Sequence, residues 1–380
     1  MGGTVPFAAM DFELPGDGDP RRVEIRDWLA ANPSPTGPQL AAAGYVAPHW
    51  PAPWGLDADP IHQIIVDEEL RRARVRRPNN PIGIGWAGPT ILAAGTDDQK
   101  DRYLSGILSG EDIWCQLFSE PEAGSDLAAL ATRAERDGDE WVVNGQKIWT
   151  SLGHLSRYGI LIARTNPDAP KHKGISWVVC DMTTPGIEIR EIQTMSHVTD
   201  FCEVFYDDVR IPLTNVVGGL NNGWRTAMST LSFERGTAFM ADQVELASTV
   251  ERLIGEARSR TDAKGRALIA DEEIARRLAT ARAEVDALKA MTITGISRTA
   301  RTGVPGAEGS MVRYFHGELH QRVYQLSLDI IGGDALRLTP VDGDVWTGPY
   351  LQSFAYTIGG GTTDIQRNIV GERVLGLPRA

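Results

Sequence analysis

The chain has 380 residues, 42% hydrophobic and 23% charged, which is apolar material for two or three packed layers or domains. A formal charge of −12 and a pI near 5.1 exclude a nucleic-acid binder, because neutralising phosphates takes a basic face that the chain nowhere concentrates. Cys115, Cys180 and Cys202 are the only cysteines, an odd number without metal-ligand spacing, so neither a disulfide framework nor a zinc site is expected and a reducing cytoplasm fits.

The opening stretch MGGTVPFAAMDFELPGDGD has no basic segment and no long apolar run. No later stretch approaches the roughly 20 apolar residues of a membrane span, so the reading is a soluble, unprocessed, cytoplasmic protein that binds no membrane. Helix-length segments separated by Pro and Gly then run over 21–32, 60–74, 88–94 and 96–109. Thr96 followed by Gln99 predicts a capping box, in which the hydroxyl accepts an amide N–H and the Gln side chain reaches back. From 115 to about 212 the texture turns to short β-rich runs, at 140–143, 159–163, 175–180 and 202–206, broken by Asp137-Gly138 and Asn144-Gly145. Beyond Gly223 the helical period returns over 224–260, 271–301, 310–331 and 363–374. The expected organisation is α+β: a helical domain over 1–114, a β domain over 115–222 and a helical domain over 223–380.

Three motifs are set aside. Gly83, Gly85 and Gly88 spell a dinucleotide fingerprint, but RRPNNP before them cannot be a buried strand and Pro89 follows directly. His316 and His320 lie one helical turn apart with Glu318 between them, which is not the zinc-protease spacing, so a solvated or capping helix face is expected. The run RRARVRR reads as a solvated helix end, open to an anionic ligand or a neighbouring subunit.

Two polar signatures carry the chemistry. In Leu117-Phe118-Ser119-Glu120-Pro121-Glu122-Ala123-Gly124-Ser125-Asp126, a hydroxyl, a Pro turn and a Gly-Ser-Asp corner collect backbone amides and hydroxyls in one loop. Lys147-Ile148-Trp149-Thr150-Ser151 follows, an indole and two hydroxyls where a hairpin is expected to rise from Asn144-Gly145. A flat aromatic side chain beside hydroxyls can recognise a planar ring with a polar edge. Taken singly, each is an ordinary structural segment.

Together, and in this order, they resemble the acyl-CoA dehydrogenase family. The resemblance extends through GPTILAAGTDDQKDRYLSGILSGEDIWCQLFSEPEAGSD, FYDDVRIP at 205–212, IQRN at 365–368 and GERVLGLPR near the end. It implies a helical N-terminal domain, a β-barrel-like middle domain and a C-terminal four-helix bundle, assembled as a dimer or tetramer with FAD at a subunit contact. By position, Phe118 and Ser119 would meet the flavin ring, Trp149 and Ser151 would lie beside it, and Thr362 would face the cofactor. Ser125 would lie near both the thioester's CoA arm and the flavin tail.

The implied reaction removes an α-proton from an acyl-CoA thioester and passes the β-hydrogen to the flavin as hydride, giving a 2-enoyl-CoA. Many members carry the base in the loop before the last helix, where this chain has Gly360. Another branch keeps a Glu directly before an Arg on the first helix of the C-terminal bundle, and Glu234-Arg235 matches it. Spacing agrees: Trp224, Met228, Leu231, Glu234 or Arg235, Ala238 and Ala241 follow at intervals of three or four, so Glu234 is expected at the margin of a buried stripe. Asp329, Asp334 and Asp364 are weaker candidates. Arg235 would orient the Glu or form a structural ion pair with it.

Two departures bear on assembly. Residues 257–265 lack the Phe-Gly that many members have after an Arg-rich segment, and Asp329 replaces a Gln common before Gly332-Gly333. These features resemble the actinobacterial branch acting in steroid side-chain degradation, in which two different chains build a heterotetramer and only some interfaces hold FAD. Three functions follow: a dehydrogenase passing electrons to an electron-transfer flavoprotein, a flavin oxidase or monooxygenase of the same fold, or a scaffold subunit needing a partner chain.

Overall fold

The computed structural model describes residues 15–234, 240–302, 306–337 and 346–378, apart from a few helical side chains that include 233 and 234. The chain divides into two compact units, Met1–Pro78 and Asn79–Ala380. In the first, α1 (Pro20–Ala31) and α3 (Pro60–Arg72) pack together, with the short α2 (Gly37–Ala42) between them in sequence. Arg22 and Arg26, one turn apart on α1, both grip Glu69 of α3 at 2.8 Å, and Glu69 is 1% exposed. Multiple charge-assisted bonds make that burial tolerable. Arg71, Arg72, Arg74 and Arg76 are exposed at and beyond the end of α3, as RRARVRR predicts.

The second unit begins with Gly83–Ala87, one π-helical turn that runs into α4 (Gly88–Ala94), so the three glycines lie in helical backbone rather than in a strand-turn-helix. α5 (Asp97–Ser109) starts on the expected capping box: Gln99 N donates to Thr96 Oγ1 at 3.2 Å and Thr96 N donates to Gln99 Oε1 at 3.0 Å.

Eight strands then form one sheet: β1 (Trp114–Leu117), β2 (Arg133–Asp137), β3 (Glu140–Ser151), β4 (Tyr158–Arg164), β5 (Ile175–Asp181), β6 (Ile187–Ile192), β7 (Phe201–Pro212) and β8 (Val216–Val217). Their order is β6-β7-β3-β2-β4-β5-β8, with β1 parallel to β4 off this path. The inward residues of these strands share one core, in which Cys115, Leu117, Val143, Leu161, Val178, Cys202 and Val204 are all buried. The hairpin turn lies at Gly138 (φ +60), between β2 and β3. Asp137-Gly138 is thus the turn expected of it, whereas Asn144-Gly145, the start expected for a second hairpin, lies inside β3 at a register shift against β7. There Gly145 has φ +151 and a Cβ would come within 2.7 Å of Thr132 Cα, so the glycine serves close backbone approach in a bulge.

The remainder is helical: α6 (Gly223–Glu234), α7 (Met240–Ser259), α8 (Glu272–Thr302), α9 (Gly309–Ile331), α10 (Thr347–Ser353) and α11 (Thr363–Ile369). α7, α8 and α9 share a core of Leu246, Val250, Leu253, Leu288, Leu319 and Val323. α9 also packs against α10 and α11, which leaves it little open face. His316 (0% exposed) and His320 (8%) are therefore buried, not on the solvated face expected of them. The reason is that α9 is enclosed by helices from several directions, which a spacing rule applied to one helix does not see.

Among the described side chains of α6 the buried residues are Gly223, Thr226, Ala227 and Thr230, while Met228 of the expected stripe is 37% exposed. Small and hydroxylated residues face inward because α6 approaches β5 closely. A Cβ on Gly223 would lie 2.4 to 2.5 Å from backbone atoms of Ser176 and Trp177, and Thr230 Oγ1 shares a hydrogen bond with Thr90 Oγ1 (2.9 Å) and accepts one from Trp177 Nε1 (3.2 Å). Gly223→Ala must therefore push α6 off β5, and we expect it to cost about 1–3 kcal/mol in urea unfolding. A variant as stable as the parent would show that the approach is loose.

Candidate functional site

The two polar signatures meet because β3 bulges. Its register against β7 slips between Lys147 and Thr150, and Trp149 and Leu152 both adopt φ +59. Such a bulge leaves a residue unpaired and turns its side chain out of the alternation. Trp149 is accordingly 56% exposed on a strand whose neighbour Thr150 is fully buried. Ile148 N donates to Ser119 O at 2.9 Å, which places the bulge directly against the Phe118-Ser119 turn. The indole meets Phe201 edge-on, with centroids 6.0 Å apart at 81°, and Leu152 N donates to Asp200 O at 2.8 Å. Phe118 is buried, and Ser119 and Ser151 are half-buried.

Beneath this surface lies an ion pair that the sequence reading missed. Lys147, with no exposed surface, donates through Nζ to Glu120 Oε1 (2.8 Å) and to Phe118 O (3.0 Å). Glu120 in turn accepts from Ala131 N (2.6 Å) and Thr132 N (3.0 Å), so one carboxylate ties down both ends of the loop. Burial pulls the Lys147 ammonium down to about 8 against the pull of Glu120. Burial also disfavours the Glu120 carboxylate, but Lys147 and the two backbone donors outweigh it and hold the group below its ordinary value. At neutral pH the pair is ionised. Both residues were inside the quoted motifs; the available signal was a lysine at an inward position of a β strand.

The other expected site residues lie elsewhere. Ser125 is exposed beyond the tight Glu120–Ala123 turn, next to Asp126, which Lys171 pairs at 2.5 Å. Thr362 is half-buried and accepts from Ile365 N at 3.3 Å as the N-cap of α11. Ser196 Oγ bonds Gln352 Oε1 at 3.0 Å, linking the β6–β7 loop to α10 in the helical region that also carries Thr362. Glu234 ends α6; its side chain, and Arg235 altogether, lie outside the described residues. One helical turn of backbone separates position 234 from the buried Thr230.

These residues suit a flavin. An exposed indole fixed by a bulge, two hydroxyls beside it and the buried Thr150 Oγ, which has no hydrogen-bond partner, offer a flat face with a polar edge. Among the described residues no cluster of His, Cys, Asp and Glu could hold a metal ion, and no helix is long and apolar enough to cross a membrane.

Against the Tyr356 ring, burial pushes His316 down to about 4, helped by Arg313, and pushes His320 down to about 3, helped by His316 and Arg313. Both folded values lie below that of a free imidazole, so both rings are neutral at pH 7. The stability this leaves is complete above pH ~6.5 and is lost as the pH falls toward 4 and 3, because only the unfolded chain takes up the protons there. We expect urea unfolding to weaken by about 3–5 kcal/mol per histidine across that window, and His320→Phe to flatten the acid limb. Parallel pH profiles for variant and parent would refute it.

The fold joins a helical N-terminal domain, a middle β-sheet domain and a C-terminal helical domain, the architecture of a class of flavin-dependent oxidoreductases. The acyl-CoA dehydrogenase N-terminal, middle and C-terminal domain models match residues 20–111, 115–209 and 221–375. The chain belongs to the acyl-CoA dehydrogenase family. It is 41% identical to the acyl-CoA dehydrogenase FadE34 of Mycobacterium tuberculosis over 346 residues, 90% of this chain, and spans only 46% of that relative's length. The solved ChsE4-ChsE5 complex from Mycobacterium tuberculosis superimposes with a TM-score of 0.79 at 32% identity, covering 98% of this chain and 100% of that one. The structure described as "Tcur3481-Tcur3483 steroid ACAD" gives 0.79 at 29% identity, covering 94% and 97%.

Proposed function

We propose that the chain catalyses FAD-dependent α,β-dehydrogenation of an acyl-CoA thioester to a 2-enoyl-CoA. The observation that carries this reading is the Ile148–Ser119 hydrogen bond, which joins the Phe118-Ser119 turn to the Trp149-Thr150-Ser151 bulge as one surface. Phe118, Ser119, Trp149 and Ser151 would bind the flavin ring, Thr362 the cofactor from the helical region, and Ser125 the CoA arm and flavin tail. Bound flavin supplies the hydride acceptor. Glu234 removes the α-proton, with Arg235 supporting its charge.

Position 360 has no side chain for that role, and Gly360 at φ +67 and Gly361 at φ +92 hold left-handed backbone that favours glycine. Three successive glycines also leave room for a bulky acyl group. The likeness to a structure described as a steroid ACAD and to a two-component complex favours a steroid-derived thioester and a heterotetramer. An electron-transfer flavoprotein would be the acceptor.

The test is the flavin spectrum of the purified protein, followed by anaerobic titration with straight-chain, branched and steroid-derived acyl-CoA thioesters. Bleaching by one class is expected, with the steroid-derived set foremost. Bound flavin that no thioester reduces, while reduced protein consumes dioxygen rapidly, would replace the reading with an oxidase.

A further inference from the structure

Three successive carbonyls of the glycine turn before α11 are gripped from within the helical region. Arg313, 6% exposed on α9, donates through Nη2 to Gly359 O. Gln366, 1% exposed on α11, donates through Nε2 to Gly360 O at 2.9 Å and Gly361 O at 3.3 Å. The turn lies flat on that amide: a Cβ on Gly361 would sit 2.8 Å from Gln366 Nε2. The carbonyls fix which end of the side-chain amide faces them, and Oε1 is left buried without a partner.

In a trans peptide the C=O of one residue and the N–H of the next point in opposite directions. Turning the carbonyls of 359, 360 and 361 inward therefore turns the N–H groups of Gly360, Gly361 and Thr362 outward. Among the described residues these three N–H groups donate to no protein acceptor, and Gly360 is exposed. Successive outward amides are a recognition surface for negatively polarised oxygen.

We propose that Arg313 and Gln366 are positioning residues that hold the 359–362 turn with its three N–H groups aimed at a ligand oxygen, either a phosphate of the dinucleotide cofactor or the carbonyl of the acyl thioester. Neither side chain touches the ligand; each acts through the carbonyls it holds. This rests on the proposed function, and it gives a role to two residues that the sequence reading left without one.

The experiment compares Arg313→Met, Arg313→Lys and Gln366→Met with the parent. It measures FAD affinity, acyl-CoA KM and kcat, thermal midpoint, and hydrogen exchange of residues 358–363 in flavin-free protein. Arg313→Met and Gln366→Met are each expected to weaken binding about tenfold, the effect of about one hydrogen bond lost from ligand recognition, with faster exchange in the turn. Arg313→Lys, which keeps a donor, is expected to recover most of it. A loss confined to FAD affinity assigns the donors to cofactor phosphate; a loss confined to KM, with kcat held, assigns them to the thioester. Unchanged affinity and KM beside a lowered midpoint would reduce both residues to structural supports and overturn the proposal. Parent protein that binds no flavin even when assembled with a partner chain refutes the functional reading instead. The exchange data then still decide whether the side chains fix the turn, unchanged rates in both Met variants overturning it.

Discussion

Lys147→Met is expected to lower the free energy of unfolding by about 3–5 kcal/mol and to empty the flavin site with it. The ammonium is fully buried, so methionine fills its volume and little packing is lost. What is lost is the cation paired with the Glu120 carboxylate and the donor to Phe118 O. A buried carboxylate stripped of its cation is the costly case, whereas removing both charges at once is much cheaper. The double variant Lys147→Met/Glu120→Gln should therefore recover part of the loss, and urea unfolding of the four proteins closes the cycle. Flavin content should follow the same order, because Glu120 clamps Ala131 and Thr132 and thereby sets the loop that meets Trp149. Single variants within about 1 kcal/mol of the parent would show the pair to be a bystander.

The difference between what the sequence disclosed and what it hid is one of range. Thr96–Gln99 was legible because a capping box is written within four residues. The grouping of Phe118-Ser119 with Trp149-Ser151 was legible because both stretches carry unusual polar composition in a fixed order. Asn144-Gly145 misled because the same dipeptide serves tight turns and bulges, and only the partner strand β7 shows that the chain goes straight on. His316 and His320 misled because burial of α9 is decided by four other helices. The grip of Arg313 on Gly359 spans 46 residues and that of Lys147 on Phe118 spans 29, and neither leaves any local pattern. On α6 the inward stripe was misplaced by one position, since small residues, not the large apolar ones, face β5.

Glu234→Gln is expected to slow reduction of bound flavin by acyl-CoA by about 10²–10⁴-fold while flavin content and thermal midpoint stay at parental values. The substitution keeps size and removes only the capacity to accept a proton. The competing carboxylates are engaged elsewhere. Asp329 pairs with Arg277 at 2.7 Å, Asp334 with Arg260 at 3.1 Å and Asp364 with Arg367 at 3.5 Å, and their side chains are 47%, 60% and 86% exposed. A base exposed to water and held by an arginine gains nothing from its site, since catalytic carboxylates need seclusion that lifts their basicity toward the working pH. Position 234 lies one helical turn beyond the buried Thr230, on a helix anchored by Gly223 against β5. Stopped-flow reduction under anaerobic conditions separates the alternatives. Loss in Glu234→Gln with full rate in Asp329→Asn assigns the proton to α6, and an undiminished rate in Glu234→Gln removes that residue from the chemistry.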